Sequence, residues 1–182
     1  MKKNVTVAMR QDGENVVIVS ISNEQLDALV KEQMEAYKGS VQFIDLGLPS
    51  GRLWADRNVG SDSTWGTGHY YQYDKAMELG ISLPTKDDFK ELYDNCVWEW
   101  KENYFDGVNG YKVIGNNGNS IFLPAAGNGY GTSLFNLGSY GRYWSSSFLS
   151  SADAYLLNFG SGAISPQNNG NRFNGFSVRA VQ

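Results

Sequence analysis

GRYWSSSFLSSADAYLLNFGSGAISPQNNGNRFNGFSVRAVQ, Gly141 to Gln182, is the stretch whose patterning decides the fold. Tyr143 to Ser147, Ala154 to Phe159 and Gly175 to Val181 each predict a strand, with Gly, Asn and Ser clusters between them. In the middle strand Tyr155, Leu157 and Phe159 share one face while Leu156, Asn158 and Gly160 share the other, because strand side chains alternate. The first set is expected to be core, which makes the second a displayed face. The stretch holds one acid, Asp153, against three arginines, Arg142, Arg172 and Arg179, and is otherwise rich in Tyr, Trp, Phe, Ser, Gly and Asn. Antibody combining loops have a similar composition, in which rigid aromatics supply contact area and Ser, Gly and Asn supply adaptable hydrogen bonds. Such a composition speaks for recognition rather than catalysis.

Upstream, Phe43 to Leu48 and Arg52 to Ala55 predict strands around the turn Pro49-Ser50-Gly51. Tyr73 to Leu79 predicts a short helix ended by Gly80, and Pro84-Thr85 opens a second, with Thr85 and Asp88 suited to its N-terminal cap. Phe89, Leu92 and Tyr93 are that helix's buried stripe. Trp98 and Trp100 alternate with Glu99 and Lys101 as in a half-buried strand, and Tyr111 to Ile114 and Ser120 to Leu123 flank the hairpin turn Asn116-Asn117-Gly118-Asn119. Two helices followed by an antiparallel, turn-rich sheet make an α+β arrangement.

Residues 1–40 have a different texture. Val5 to Met9 and Val16 to Ile21 predict two strands around Gln11-Asp12-Gly13, where Asp-Gly is a hairpin signal. A helix follows, with Ser22 as N-cap, Gln25 completing a capping box, Leu26, Leu29, Val30, Met34 and Tyr37 at helical spacing, and Gly39 as its stop. One apolar stripe on so short a helix cannot form a core alone, so it packs either on the main domain or on its copies in a homo-oligomer. The expected division is therefore 1–40, an oligomerisation or attachment element, and 41–182, the main domain.

At 182 residues the chain has room for one main core with an appendage. A formal charge of -4 and a pI near 5 argue against a nucleic-acid partner, which would require a basic domain or stripe; the longest basic run is Lys2-Lys3. Cys96 is the only cysteine, so the fold relies on packing without an intrachain disulfide. Arg10, Asp12 and Glu14 interrupt the N-terminus before an apolar run reaches signal-peptide length, and neither a Sec signal nor a membrane-inserting segment is expected.

Catalytic chemistry has little to build on. His69, the only histidine, lies in the Gly/Tyr-rich turn GTGHYY with no nucleophile motif beside it. One Cys and one His cannot assemble the usual zinc set. Asp87 and Asp88 sit at a predicted helix N-terminus, where the helix dipole accounts for them without acid/base work. Gly66, Gly68 and Gly80 read as turn glycines, no phosphate-cradling or dinucleotide motif occurs, and there is no EF-hand pattern for calcium. The expectation is a non-enzyme with no cofactor and no metal.

Several segments, in order, carry a resemblance: FIDLGLPSGRLWADRNVG, Phe43 to Gly60; LPTKDDFKELYDNC, Leu83 to Cys96; NGYKVIGNNGNSIFLPAAG, Asn109 to Gly127; GSYGRYWSSS, Gly138 to Ser147; and NRFNGFSVRAV, Asn171 to Val181. Over residues 41–182 the chain resembles the C-type-lectin-like "major paralogous domain" proteins common in gut Bacteroidota and their phages. A subset of these is similar to the variable proteins of diversity-generating retroelements, phage receptor binders among them. In that subset, adenine-directed mutagenesis rewrites Asn codons near the 3' end of the gene. The resemblance implies a C-type-lectin-like fold, a variable region at about 141–182, a cell-surface protein or glycan as partner, and a virion-associated or extracellular place of action.

By that resemblance the ligand-binding, variable positions are Arg142; Phe148, Leu149 and Asp153; Leu156, Asn158, Gly160, Ala163 and Ser165; and, in a final loop, Gln167, Asn168, Asn169, Gly170, Asn171, Phe173 and Asn174. Tyr143, Trp144, Tyr155, Leu157, Phe159, Ile164, Arg172, Phe176, Val178 and Arg179 are the implied scaffold. Asn and Gly are also ordinary turn formers, whereas Phe148, Leu156 and Phe173 have no turn rationale and together would form an exposed apolar patch. Arg142 is expected to pair with an acid or stack on an aromatic ring. Calcium-dependent lectins of the same fold use a Glu-Pro-Asn type loop and a Trp-Asn-Asp strand; Pro166-Gln167-Asn168 is the nearest match and the strand motif is missing. Formylglycine-generating enzymes need a cysteine pair that Cys96 alone cannot supply. The alternative reading is an invariant structural module of a surface or virion assembly.

Overall fold

A computed structural model describes residues 4–10 and 16–182, and the chain divides into two compact units, Met1–Gly39 and Ser40–Gln182. In the first unit β1 (Asn4–Arg10) pairs antiparallel with β2 (Val16–Ser22), with Val7 opposite Val19. The turn expected at Gln11-Asp12-Gly13 lies outside the described residues. Helix α1 (Asn23–Ser40) follows at once, so Ser22, the last residue of β2, stands directly before it in the position expected for the N-cap, and the helix runs one residue past its expected stop at Gly39. Glu24 in its first turn and Lys38 in its last suit the helix dipole. Of the predicted stripe, Met34 and Tyr37 are buried, Leu29 is half-buried and Val30 is exposed; the side chains of Gln25 and Leu26 lie outside the described residues.

The second unit is α+β, two short helices among small antiparallel sheets. Its elements are β3 (Phe43–Asp45) and β4 (Leu53–Ala55); α2 (Tyr73–Met77) and α3 (Lys86–Asn95); then β5 (Val97–Phe105), β6 (Val108–Ile114), β7 (Ser120–Pro124), β8 (Asn128–Tyr130), β9 (Ser133–Phe135), β10 (Tyr140–Phe148), β11 (Asp153–Gly160) and β12 (Ala163–Asn171). The pairings are β3-β4, β5-β6-β7, β8-β9 and β10-β11-β12. The core lies between the two three-stranded sheets and α3, and is built on Trp54, Phe89, Leu92, Tyr111, Val113, Leu123, Tyr143, Leu157 and Phe159. Its aromatic rings interlock edge to face, Tyr111 with Phe159 at 5.3 Å and Trp98 with Tyr111 at 5.5 Å.

Local chemistry explains the best-formed elements. Thr85 Oγ1 accepts from the Asp88 backbone N–H at 3.0 Å, and Asp88 Oδ2 accepts from the Thr85 N–H at 2.7 Å, a complete capping box on α3. Asp88 also receives Arg52 Nε at 3.2 Å. In the β6-β7 turn Gly115 is required by space, since a Cβ there would stand 2.0 Å from the Leu46 carbonyl oxygen.

Several expectations need correction. Tyr93, expected in the buried stripe of α3, is 42 % exposed, and Tyr155, expected on the core face of its strand, is only half-buried. Residues 166–171, expected in a loop, belong to β12, because Leu156, Tyr155, Ala154 and Asp153 offer partners to Asn168, Asn169, Gly170 and Asn171 in turn. The register slips between Leu156 and Asn158, and Pro166, which cannot donate to a ladder, falls in that irregular stretch. Gly175–Val181, expected as a strand, is extended chain that makes single bridges instead: Gly175 to Gly129, Phe176 to Tyr71, Ser177 to Tyr143 and Val181 to Trp54. The β8-β9 hairpin was not foreseen, since its Gly/Asn-rich sequence reads as turns.

Candidate ligand-binding surface

The sheet β10-β11-β12 has two faces, and they do different things. Tyr143, Leu157 and Phe159 point into the main core, all fully buried. On the other face the cross-strand row Trp144, Leu156 and Asn168 is followed by the row Arg142, Asn158 and Ser165. This second face is open at the Arg142 end and closed at the Trp144 end. Phe176 lies against Trp144 at a ring separation of 4.4 Å, Tyr73 of α2 meets Trp144 edge-on at 5.4 Å, and Trp144 Nε1 donates to the Tyr71 carbonyl at 2.7 Å.

That cover overturns one expected display position and constrains another. Leu156 is only 2 % exposed. Its Cδ2 stands 2.7 Å from the point a Cβ on Gly170 would take, with the Phe176 ring 3.0 Å from the same point. Leu156 is thus the floor of the surface, not a free anchor, and Gly170 sits where a side chain would strike that floor.

Above the floor opens a cleft of about 530 Å³. Arg142, Leu156, Asn158, Asn168, Asn169, Gly170 and Asn174 of the predicted set line it, together with Phe176 and with Asn128, Phe135 and Asn136 from the β8-β9 region. Arg142 Nε donates to Asn158 Oδ1 at 3.2 Å, Arg142 Nη1 donates to Asn128 Oδ1, and the guanidinium lies over the Tyr140 ring at 5.3 Å. The expected stacking is present, while amide oxygens take the place of the expected acid. Partial burial lowers the Arg142 pKa from its ordinary value.

A second cleft, of about 480 Å³, adjoins the first through Asn158 and is lined by Trp100, Glu102, Tyr140, Gly160 and Ala163 among others. Gly160 leaves little room there, because a Cβ would approach the Tyr140 ring at 3.2 Å. The remaining predicted residues lie apart from the clefts. Phe148, Leu149 and Phe173 are exposed by 60, 42 and 67 %. Arg172 ties Phe148 to the scaffold, with its guanidinium 5.5 Å from the Phe148 ring and 5.0 Å from the Tyr73 ring and an ion pair to Asp74. Asn171 Oδ1 accepts from the Phe173 N–H at 3.0 Å, and Asp153 and Ser165 are half-buried. Gln167 is tied down, its Nε2 donating to Asp87 Oδ1 at 2.8 Å at the start of α3.

No family model, no curated protein and no solved structure gives a significant match to this chain.

Sequence reasoning missed the outer wall. Asn128, Phe135 and Asn136 enter the cleft, and Tyr130, Leu134, Phe135 and Leu137 are all about half exposed or more. The signal was present in NGYGTSLFNLGSYG, Asn128 to Gly141, which has the same mixture of Gly, Asn, Ser and aromatic residues as the C-terminus.

His69 is exposed and Cys96 is half-buried. Among the described residues no group of three or more His, Cys, Asp or Glu is arranged to hold a metal ion, and no helix is long and apolar enough to cross a membrane. His69 lies over Gly60, with Nδ1 3.5 Å from the Tyr71 hydroxyl, and desolvation lowers its pKa. Burial, with the nearby charge of Glu91, pushes the Cys96 thiol up to about 11. Alkylation needs the thiolate. At pH 8 the folded protein should therefore react with iodoacetamide about a hundredfold more slowly than a free cysteine peptide, and labelling at the peptide's rate would refute a protonated, inert Cys96.

Proposed function

We propose that this chain is a non-enzymatic ligand-binding protein of C-type-lectin-like fold, a retroelement-diversified receptor binder of a phage or prophage, whose C-terminal surface engages a cell-surface protein or glycan. The observation that carries this reading is the outer surface of residues 142–174. It carries a cleft lined by asparagines and, apart from that cleft, the exposed side chains Phe148, Leu149 and Phe173, none of which belongs to the core. Exposed aromatic and aliphatic side chains beside adaptable amides are the ingredients of a recognition surface, in which a few anchors carry most of the affinity. The α+β architecture, with a C-terminal segment that returns to β4 through the Leu53 and Gln182 backbone pair at 3.0 Å in both directions, supports the fold assignment.

The test is binding of the purified full chain to intact Bacteroidota cells, compared with the triple variant Phe148→Ser, Leu149→Ser, Phe173→Ser. These three side chains are exposed, so the melting temperature should hold, while loss of even one anchor worth about 2 kcal/mol weakens binding about thirtyfold. Equal binding by the triple variant, or no binding to any strain by the wild type, would sink the proposal. Diversification has its own check in the genome: a neighbouring reverse-transcriptase gene and a near-repeat of the 3' end that differs at adenines. An identical C-terminus in every sibling copy would count against it.

A further inference from the structure

The amide-lined cleft has an imbalance of donors over acceptors, and it is centred on Arg142. Guanidinium can only donate, so Asn158 and Asn128 must turn their Oδ1 atoms to Arg142 and leave their Nδ2 groups for something else. Asn128 Oδ1 is also taken by Asn136 Nδ2 at 3.3 Å, and Asn168 Oδ1 by the Asn169 N–H at 2.7 Å. Among the described residues no partner is present for the Nδ2 groups of Asn128, Asn158 and Asn168, nor for the side-chain amides of Asn169 and Asn174. Unused nitrogens therefore outnumber unused amide oxygens.

Charge points the same way. The cleft lining contains one cation and no carboxylate, in a chain of net charge -4. Arg142 is partly desolvated and is met by neutral amides, an arrangement that an anion would complete with charge-assisted hydrogen bonds. Glu102 lines the adjoining cleft and not this one. The floor is apolar, Leu156 and Phe176, and the volume of about 530 Å³ suits a small ligand. Hydroxyl groups both donate and accept, as the free amides of Asn169 and Asn174 do, and a sugar ring's C–H face fits the exposed apolar wall that Phe135 supplies.

We propose that this cleft binds an acidic saccharide, a sugar ring whose carboxylate is held by Arg142 and the amide nitrogens of Asn128 and Asn158 and whose hydroxyls meet Asn168, Asn169 and Asn174. This rests on the reading of the C-terminal surface as ligand-binding, and it names the ligand class for one part of that surface.

The experiment titrates the ¹⁵N-labelled full chain with sodium glucuronate, with glucose, and with an N-acetyl aspartyl amide as a peptide carboxylate, while following the asparagine side-chain NH₂ signals. Glucuronate is expected to shift several of them saturably and to bind about tenfold or more tighter than glucose, the margin of one charge-assisted contact. Arg142→Gln should bring the ratio of glucuronate to glucose affinity down to about one; a ratio that stays tenfold or more in the variant overturns the role of Arg142. Equal binding of glucuronate and glucose by the wild type overturns the carboxylate assignment, and an aspartyl amide that binds as tightly as glucuronate overturns the saccharide. If none of the three shifts these signals, the cleft inference fails. The cell-binding test on Phe148, Leu149 and Phe173 is decided separately, so the two failures can be told apart.

Discussion

Replacing Arg179 with leucine is expected to cost about 3–5 kcal/mol of folding free energy. Arg179 is fully buried, and its guanidinium joins three segments that are distant in sequence. Nε donates to Asn58 Oδ1 at 3.0 Å, Nη1 to the Ala55 carbonyl at 2.9 Å and Nη2 to the Phe122 carbonyl at 2.7 Å. Asn58 in turn passes Nδ2 to the Tyr143 hydroxyl at 3.2 Å, and that hydroxyl donates to the Pro124 carbonyl at 2.8 Å. Tyr143 is so enclosed that burial pushes its pKa up to about 12, which keeps it neutral and able to donate. Exchanging a whole buried ionic group for apolar residues can be neutral, but here only the donor leaves and the acceptors stay buried. Leucine would strand three of them at once. Lysine keeps the charge without the planar fork and should lie between the two. Urea unfolding checks this: the midpoint should fall sharply at an unchanged slope. A loss below about 1 kcal/mol would mean that water or a shifted backbone replaces the guanidinium.

This network was only half legible in the sequence. Arg179 was placed among the scaffold residues, but nothing in SVRAV announces that its partners are Ala55, Asn58 and Phe122, because those contacts are made by the fold and not by local pattern. Local signals did better where the physics is local. Thr85 and Asp88 form the cap that their spacing predicts, and of the face expected to be core Leu157 and Phe159 are fully buried, while Tyr155, under the Lys86 ammonium, is only half-buried. The failures share a cause. Alternation tells which side chains share a face, but not whether that face is covered, and the cover over Leu156 comes from Phe176, which lies twenty residues later and returns through a bridge to Tyr71. Turn propensity likewise misread Gln167 to Asn171, where a ready ladder partner in β11 overrides the preference of Asn and Gly for turns. The outer wall of the cleft was missed because Asn128 reaches Arg142 across a hairpin of only three residues per strand.

The buried position of Leu156 limits which residues of the proposed binding surface can vary. Leu156→Asn, the side chain of its display-face neighbour Asn158, is expected to destabilise the fold by about 3–5 kcal/mol, because it removes an apolar side chain from a filled site and buries an amide there. The site offers that amide little: Trp144 and Phe176 are apolar, Trp144 has already given its Nε1 to the Tyr71 carbonyl, and Gly170 approaches with no side chain. Phe173→Asn, at a residue 67 % exposed, should change stability by no more than about 0.5 kcal/mol. Thermal and urea unfolding of the two variants therefore separates floor from display in one comparison. Equal stability would mean that the Trp144 end of the face is open and that Leu156 is displayed. With the expected result, binding lost by Leu156→Asn reports an unfolded surface, whereas binding lost by Phe173→Asn reports a missing contact. The same reasoning sets the outcome of a library randomised at the predicted variable positions and selected only for folded protein. Phe148, Leu149, Asn169, Asn171 and Phe173 should accept nearly any side chain, Leu156 should return as an apolar residue, and Gly170 should return as glycine.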